Sequence, residues 1–221
     1  MSLRRNIIVW DTETSGLDPE DGSEVIELCA TAINYWDLAD HHAGMFHAYI
    51  KPNRPEKAQA GALKVIGDGW ARAQDEGLSA KVVWQNYADW VSSINDSRNV
   101  YGKPITIAHN AVFDNKFAKY HMREYGIVKK GNWGYDYPWG FEFCSMNMFW
   151  MLCENDPTVE NLKLDTFLDR LGNKRANAKI HNAKEDVLLL ADGVKRVMKF
   201  TREAQRRMGS PVKDSNELPL R

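Results

Sequence analysis

Cysteine is scarce: Cys29, Cys144 and Cys153 are three among 221 residues, and no two of them form a C-x-x-C pair. An odd, scattered set excludes a disulfide framework and fits buried thiols in a reducing, cytoplasmic setting. Long apolar runs are missing as well. No stretch approaches the roughly 18 apolar residues of a bilayer span, so no membrane partner is expected. The first residues, MSLRRNIIVWD, put only four apolar residues before an acid, too few for a secretory leader. Charge of one sign is also absent: 29 basic residues stand against 30 acidic ones. No global field therefore advertises a nucleic-acid or membrane partner, although a neutral total is compatible with a local basic patch.

What is present is an ordinary globular composition, 43% apolar and 27% charged. Residues 1–208 read as one domain, with 209–221 a mobile tail of turn formers and little apolar content. Residues 5–12 read as a strand buried on both faces, Ile7 and Val9 pointing one way, Ile8 and Trp10 the other. After the turn cluster GLDPEDG, residues 24–36 and 44–51 read as two further strands of an antiparallel meander. EKAQAGALKVIG and SAKVVWQNYADWVSSI carry helical spacing. PITIAHN is a short strand running into the helix AVFDNKFAKYHMREYG, which Gly126 stops. A Gly- and aromatic-rich loop at 129–140 precedes FEFCSMNMFWML, a strand passing into a helix. NLKLDTFLDRLG is a helix with Asn161 placed to cap it, and a long helix begins at AKEDV. Three strands, then helices, then strands alternating with helices make an α/β domain with a mixed sheet.

The unusual feature is the pair Asp11 and Glu13 at the end of the most apolar strand. Ionised acids beside a core cost several kcal/mol unless something compensates them. Residues two apart on a strand share a face. Asp114 sits in the first turn of the helix after strand 104–108; His181 and Asp186 flank the start of the last helix. Strand ends and helix N-termini meet at one edge of an α/β sheet, so four carboxylates from three segments can converge. Two helix N-termini offset only about 0.3–1 kcal/mol each. Divalent cations are the natural complement, and oxygen-only ligation suits Mg²⁺ or Mn²⁺. Two such ions about 3.5–4 Å apart clamp both oxygens of an in-line phosphoryl displacement. A histidine among the acids titrates near neutrality and suits proton abstraction from water.

WDTETSGLD, AHNAVFDNKF and HNAKEDV, with His181 five positions before Asp186, resemble the DEDDh group of 3′→5′ exonucleases, the family of polymerase proofreading subunits and ribonuclease T. CSMNMF and NLKLDTFLDRLG resemble its intervening segments, so the likeness spans roughly residues 5–200. Ser15 stands where threonine is common, and Val187 where a small residue usually follows. The resemblance implies a ribonuclease H-like fold, a mixed five-stranded sheet of three antiparallel strands followed by parallel ones, flanked by helices. It implies hydrolysis of single-stranded ends to nucleoside 5′-monophosphates, with DNA placed ahead of RNA. Asp11, Glu13 and Asp186 would hold one ion, Asp11 and Asp114 would serve a second, and His181 would be the general base. Thr14, Ser15, Gly16 and Leu17 would cradle the terminal nucleotide, Leu17 against the base. Asn110 is a further candidate substrate contact, although it and His109 also read as braces of the strand end.

Three features stay outside this core. Trp133, Tyr135, Tyr137, Trp139, Phe141 and Phe143 recur at every second position, a stacking surface for single strands if extended. Topology puts that loop at the edge opposite the site, so packing over the sheet or a partner contact is the expectation. KRVMKFTREAQRR reads as a solvated helix face, with a phosphate track as the alternative. NELPLR loosely resembles a sliding-clamp docking peptide without its glutamine, and a plain tail is the reading preferred. A polymerase-associated proofreading subunit and an RNA-trimming exonuclease are the alternatives to a stand-alone enzyme, with oligomeric state open.

Overall fold

The computed structural model describes residues 5–94, 102–131, 134–172 and 182–210. Strand β1 (Ile7–Thr14) alternates as its sequence implies: Ile8 and Trp10 enter one core, Ile7 and Val9 the other. It pairs antiparallel with β2 (Val25–Ile33), which pairs antiparallel with β3 (Asp40–Tyr49). β3 begins four residues earlier than the sequence pattern implies. A register shift opposite Thr31–Ile33, with Gly44 at φ 67°, lets the strand bulge and continue.

The helix expected over 56–67 is broken into pieces. A 3₁₀ turn at Pro55–Lys57 leads to α1 (Ala60–Ile66), and Gly67, at φ 58°, ends it. A further short helix that the sequence pattern did not reveal, α2 (Gly69–Glu76), then packs Trp70 and Ala73 against Ile26 and Ile66. Helix α3 (Ala80–Ser93) follows as expected. β4 (Ile105–Ala108) returns parallel to β1, and α4 (Ala111–Glu124) leads away, stopped by Gly126 at φ 68°. The aromatic loop contains a small hairpin, β5 (Lys130–Gly131) with β6 (Gly134–Tyr135). β7 (Glu142–Cys144) runs parallel to β4 and passes into α5 (Ser145–Cys153). α6 (Leu164–Arg170) and the long α7 (Ala183–Arg207) complete the described chain.

The main sheet has the order β3-β2-β1-β4-β7. It is the mixed five-stranded sheet that the sequence implied. Trp84, Tyr87 and Phe117 from α3 and α4 cover one face; Phe149, Phe167, Leu190 and Val194 from α5, α6 and α7 cover the other. Each such side chain contributes about 1.5–3 kcal/mol on burial. Asn161 does not cap α6 in the ordinary position. Its Oδ1 accepts from the Lys163 N–H at 3.0 Å and the Thr166 hydroxyl at 2.7 Å, staging the turn before the helix. Among the described residues no helix is long and apolar enough to cross a membrane. The tail from 211 onward, Trp133 and His181 lie outside the described residues.

Candidate active site

The C-terminal ends of β1 and β4 and the N-termini of α4 and α7 meet at one edge of the sheet. Ala183 and Val187, on the first turns of α7, pack with Cys29 of β2, which seats the start of that helix over β1 and β2. Asn182 caps it: its side chain accepts the Glu185 N–H at 3.1 Å. Asp186 therefore faces Asp11 and Glu13. One carboxylate oxygen from each of the three lies within 4.8 Å of the others. Three carboxylates at that separation repel one another by several kcal/mol in a partly desolvated site, a strain that a bound cation or a retained proton relieves.

Asp114 completes the group from the other side. Its Oδ1 accepts both the Thr12 N–H at 3.1 Å and the Thr12 hydroxyl at 2.8 Å. Burial pushes the Asp114 carboxyl up to about 7, against the lowering effect of those two bonds. Asp11 is raised well above the usual carboxylate range, first by burial, then by Asp114, Glu13, Asp186 and Glu27. Groups so displaced, converging in a cleft, mark a functional site. The donor set is all oxygen, which fits a hard divalent ion and not a thiolate-seeking one.

A cleft of about 630 Å³ opens beside the acids, lined by Asp11, His109, Leu162, Lys163, Asp165 and Asp186 among others. His109 braces its floor, pairing through Nδ1 with the Ser145 hydroxyl and through Nε2 with the Leu162 carbonyl, both at 2.9 Å. Burial holds its pKa below the usual histidine value. Asn110 sits exposed at the head of α4 in the left-handed conformation, φ 62°.

The loop after β1 is built rigidly. Ser15 faces inward: its N–H donates to the Glu24 carbonyl, its hydroxyl accepts from the Glu24 N–H, and its carbonyl accepts from the Gln59 N–H. The Thr14 hydroxyl donates to the Gly16 carbonyl at 2.7 Å. A Cβ on Gly16 would stand 2.2 Å from Ser23 Oγ and 2.8 Å from Gln59 Cδ, so a larger residue there would have to displace both side chains. Leu17 projects outward, 73% exposed. Lys116 of α4 pairs with Asp18 and ties this loop to the helix that carries Asp114.

Two residues escaped the sequence reading. Glu27 stands opposite Glu13 across the β1–β2 pair, buried, and holds His47 Nε2 at 2.8 Å. An acid inside the apolar run VIELCATAI was the available signal; the cross-strand register that places it is not written locally. Three cations of α7 have partners within the protein: Lys195 with Asp40, Arg196 with Asp192, and Arg202 with the Trp36 carbonyl.

Comparison with known proteins gives consistent results. The RNase T exonuclease family matches residues 8–192. The DNA polymerase III subunit epsilon of Rickettsia prowazekii is 28% identical over 193 residues, 87% of this chain and 73% of that protein. The nuclease domain of 3′hExo, described as a DEDDh family member bound to rAMP, superposes with a TM-score of 0.63 at 16% identity, over 90% of this chain and 94% of that one. Exonuclease I of E. coli, in complex with an oligonucleotide, superposes with a TM-score of 0.67 at 16% identity, over 88% of this chain but 40% of that one. These structural likenesses establish the fold.

Proposed function

The chain belongs to the RNase T exonuclease family, and from that premise we propose that it acts as a DEDDh-type enzyme, removing nucleotides one at a time from the 3′ end of single-stranded nucleic acid. The products are nucleoside 5′-monophosphates, and DNA is placed ahead of RNA. The observation that carries this reading is the convergence of Asp11, Glu13 and Asp186 oxygens within 4.8 Å, with Asp114 alongside. Asp11, Glu13 and Asp186 would hold one Mg²⁺ or Mn²⁺, and Asp11 with Asp114 would serve a second; the chemistry so supplied would be charge stabilisation at the phosphate undergoing displacement.

The chain's own residues supply the rest. Thr12 fixes Asp114 through Oδ1, so that Oδ2 would be the oxygen offered to an ion. The clamped loop Thr14–Leu17 meets the terminal nucleotide with little freedom to lose, Leu17 packing on the base and Gly16 allowing close approach of the backbone. Ser15, facing inward, acts through the shape of the loop and not through its hydroxyl. Asn110, exposed at the head of α4, is offered as a further contact for the strand. His181, by resemblance, takes the proton of the attacking water.

The likeness to a polymerase III epsilon subunit supports a second reading, in which the chain works beside a polymerase in the cytoplasm. Incubation with Mg²⁺ and 5′-labelled single-stranded DNA, single-stranded RNA and blunt duplex tests the first. The expected result is a ladder that shortens by single nucleotides from the 3′ end and stops on chelation with EDTA. Internal cuts, or immediate release of the labelled nucleotide, would sink it.

A further inference from the structure

Helix α4 carries Lys116, Lys119 and Arg123 at i, i+3 and i+7, spacing that lines them along one face. Lys116 stands at the site end, paired with Asp18 beside the Leu17 loop. Arg123 lies about 14 Å further along the helix from Asp114. There the stripe meets the aromatic segment that the proposed chemistry leaves unused. Trp139 is anchored in the core, 6.3 Å from Trp10. Tyr137 stacks on Trp139 at 5.2 Å, and Tyr135, 6.4 Å beyond Tyr137, is the outermost ring at 41% exposure. The rings thus climb from core to surface as a fixed staircase. Lys119 lies over Tyr137 at 5.8 Å, and Arg123 over Tyr135 at 5.5 Å.

An open cavity of about 530 Å³ sits among these groups, bordered by Lys103, Lys119, Tyr135, Tyr137 and Phe141, with Asp136 and Glu142 as its acids. Lys103 pairs with Asp136 and Lys119 with Glu142, while Lys129 and Lys130, both exposed, stand on the hairpin beside Asp136 and Tyr135.

We propose that this staircase and the α4 stripe form a distal binding track for the single strand 5′ of the scissile end. Bases stack on Tyr135 and Phe141, and phosphates run past Arg123, Lys119 and Lys116 toward the Leu17 loop. Three observations select this occupant. Interleaved cations and aromatic faces are the chemistry by which proteins hold single strands without reading sequence. The rings are already packed, so ordering them costs little on binding. The stripe reaches the site edge at Lys116, whose partner Asp18 directly follows Leu17. The aromatic segment lies away from the chemistry, as topology dictates; the helix bridges the gap. The direction of the strand rests on the exonuclease reading.

The test uses the whole chain and two exposed substitutions, Arg123→Ala and Tyr135→Ala, with circular dichroism confirming that each folds. Fluorescence anisotropy with labelled dT12 in EDTA reads the track without turnover. Each variant is expected to bind dT12 about tenfold more weakly, and Arg123→Ala to reduce the salt slope by about 0.7. In Mg²⁺, hydrolysis of the nitrophenyl ester of thymidine 5′-monophosphate, too short to reach the track, is expected to match wild type in both variants. If both bind dT12 as wild type does, or if ester and dT12 suffer equally, the track is overturned. A wild-type chain that binds dT12 through these residues but hydrolyses nothing would count against the exonuclease reading alone.

Discussion

Asp114 shows in one side chain how the site is loaded. Its carboxyl is held up to about 7 by burial, so the metal-free folded protein keeps a proton that the unfolded chain, titrating near 3.8, gives up. The sign follows: the stability contributed by that proton is complete below about pH 4 and is lost as pH rises through 7. Asp11, displaced in the same direction, adds to it. The melting temperature of chelator-treated protein should therefore fall from pH 4 to pH 7, and saturating Mg²⁺ should remove the decline, because an ion replaces the proton. A flat metal-free profile would contradict the assignment. Asp11→Asn and Asp186→Asn should each cost about three orders of magnitude in turnover, several kcal/mol of transition-state stabilisation. Both should melt no lower than wild type without metal, since each removes one of the repelling charges; urea titration in EDTA measures this. His181→Ala should lower turnover about 10²–10⁴-fold, the range for a positioned proton acceptor, with Mn²⁺ affinity unchanged.

At the scale of elements, the start of α7 is where local structure meets chemistry. Asn182 caps the turn that carries Asp186, so Asn182→Ala should lose about 0.5–2 kcal/mol of stability and weaken metal binding, with Asn182→Asp restoring both. Equal metal affinity in all three proteins would separate the cap from the site. The sequence made legible the elements that local patterns specify: the two-faced β1, the meander, α3, the strand–helix joint that places Asp114, and the start of the last helix that carries Asp186. It did not reveal α2, a single short segment between Gly67 and Gly77 whose fixing contacts, Trp70 and Ala73 on Ile26 and Ile66, are tertiary. Nor did it reveal the inward turn of Ser15 onto Glu24 or the Glu27–His47 pair, because the first depends on how the chain entering β2 lies against the end of β1 and the second on the register of β2 with β3.

On the scale of the whole molecule, the sheet separates two cores and leaves one edge for charge. Helices α3 and α4 close one face, α5 to α7 the other, and the acids stand where β1, α4 and α7 converge. Gly193 keeps α7 close to α6, since a Cβ there would sit 3.2 Å from the Phe167 ring and from Leu171. Gly193→Leu should thus separate the helices, lowering the melting temperature by an amount worth about 1–3 kcal/mol and weakening turnover by shifting Asp186; calorimetry and single-turnover kinetics read the two. The central claim is that these acids are gathered to hold divalent ions. It is tested most directly by counting Mn²⁺ with electron paramagnetic resonance in the presence of thymidine 5′-monophosphate. The account predicts two ions per wild-type chain, one in Asp114→Asn, and loss of tight binding in Asp186→Asn. No Mn²⁺ bound at millimolar concentration, or the same count in all three proteins, would contradict it.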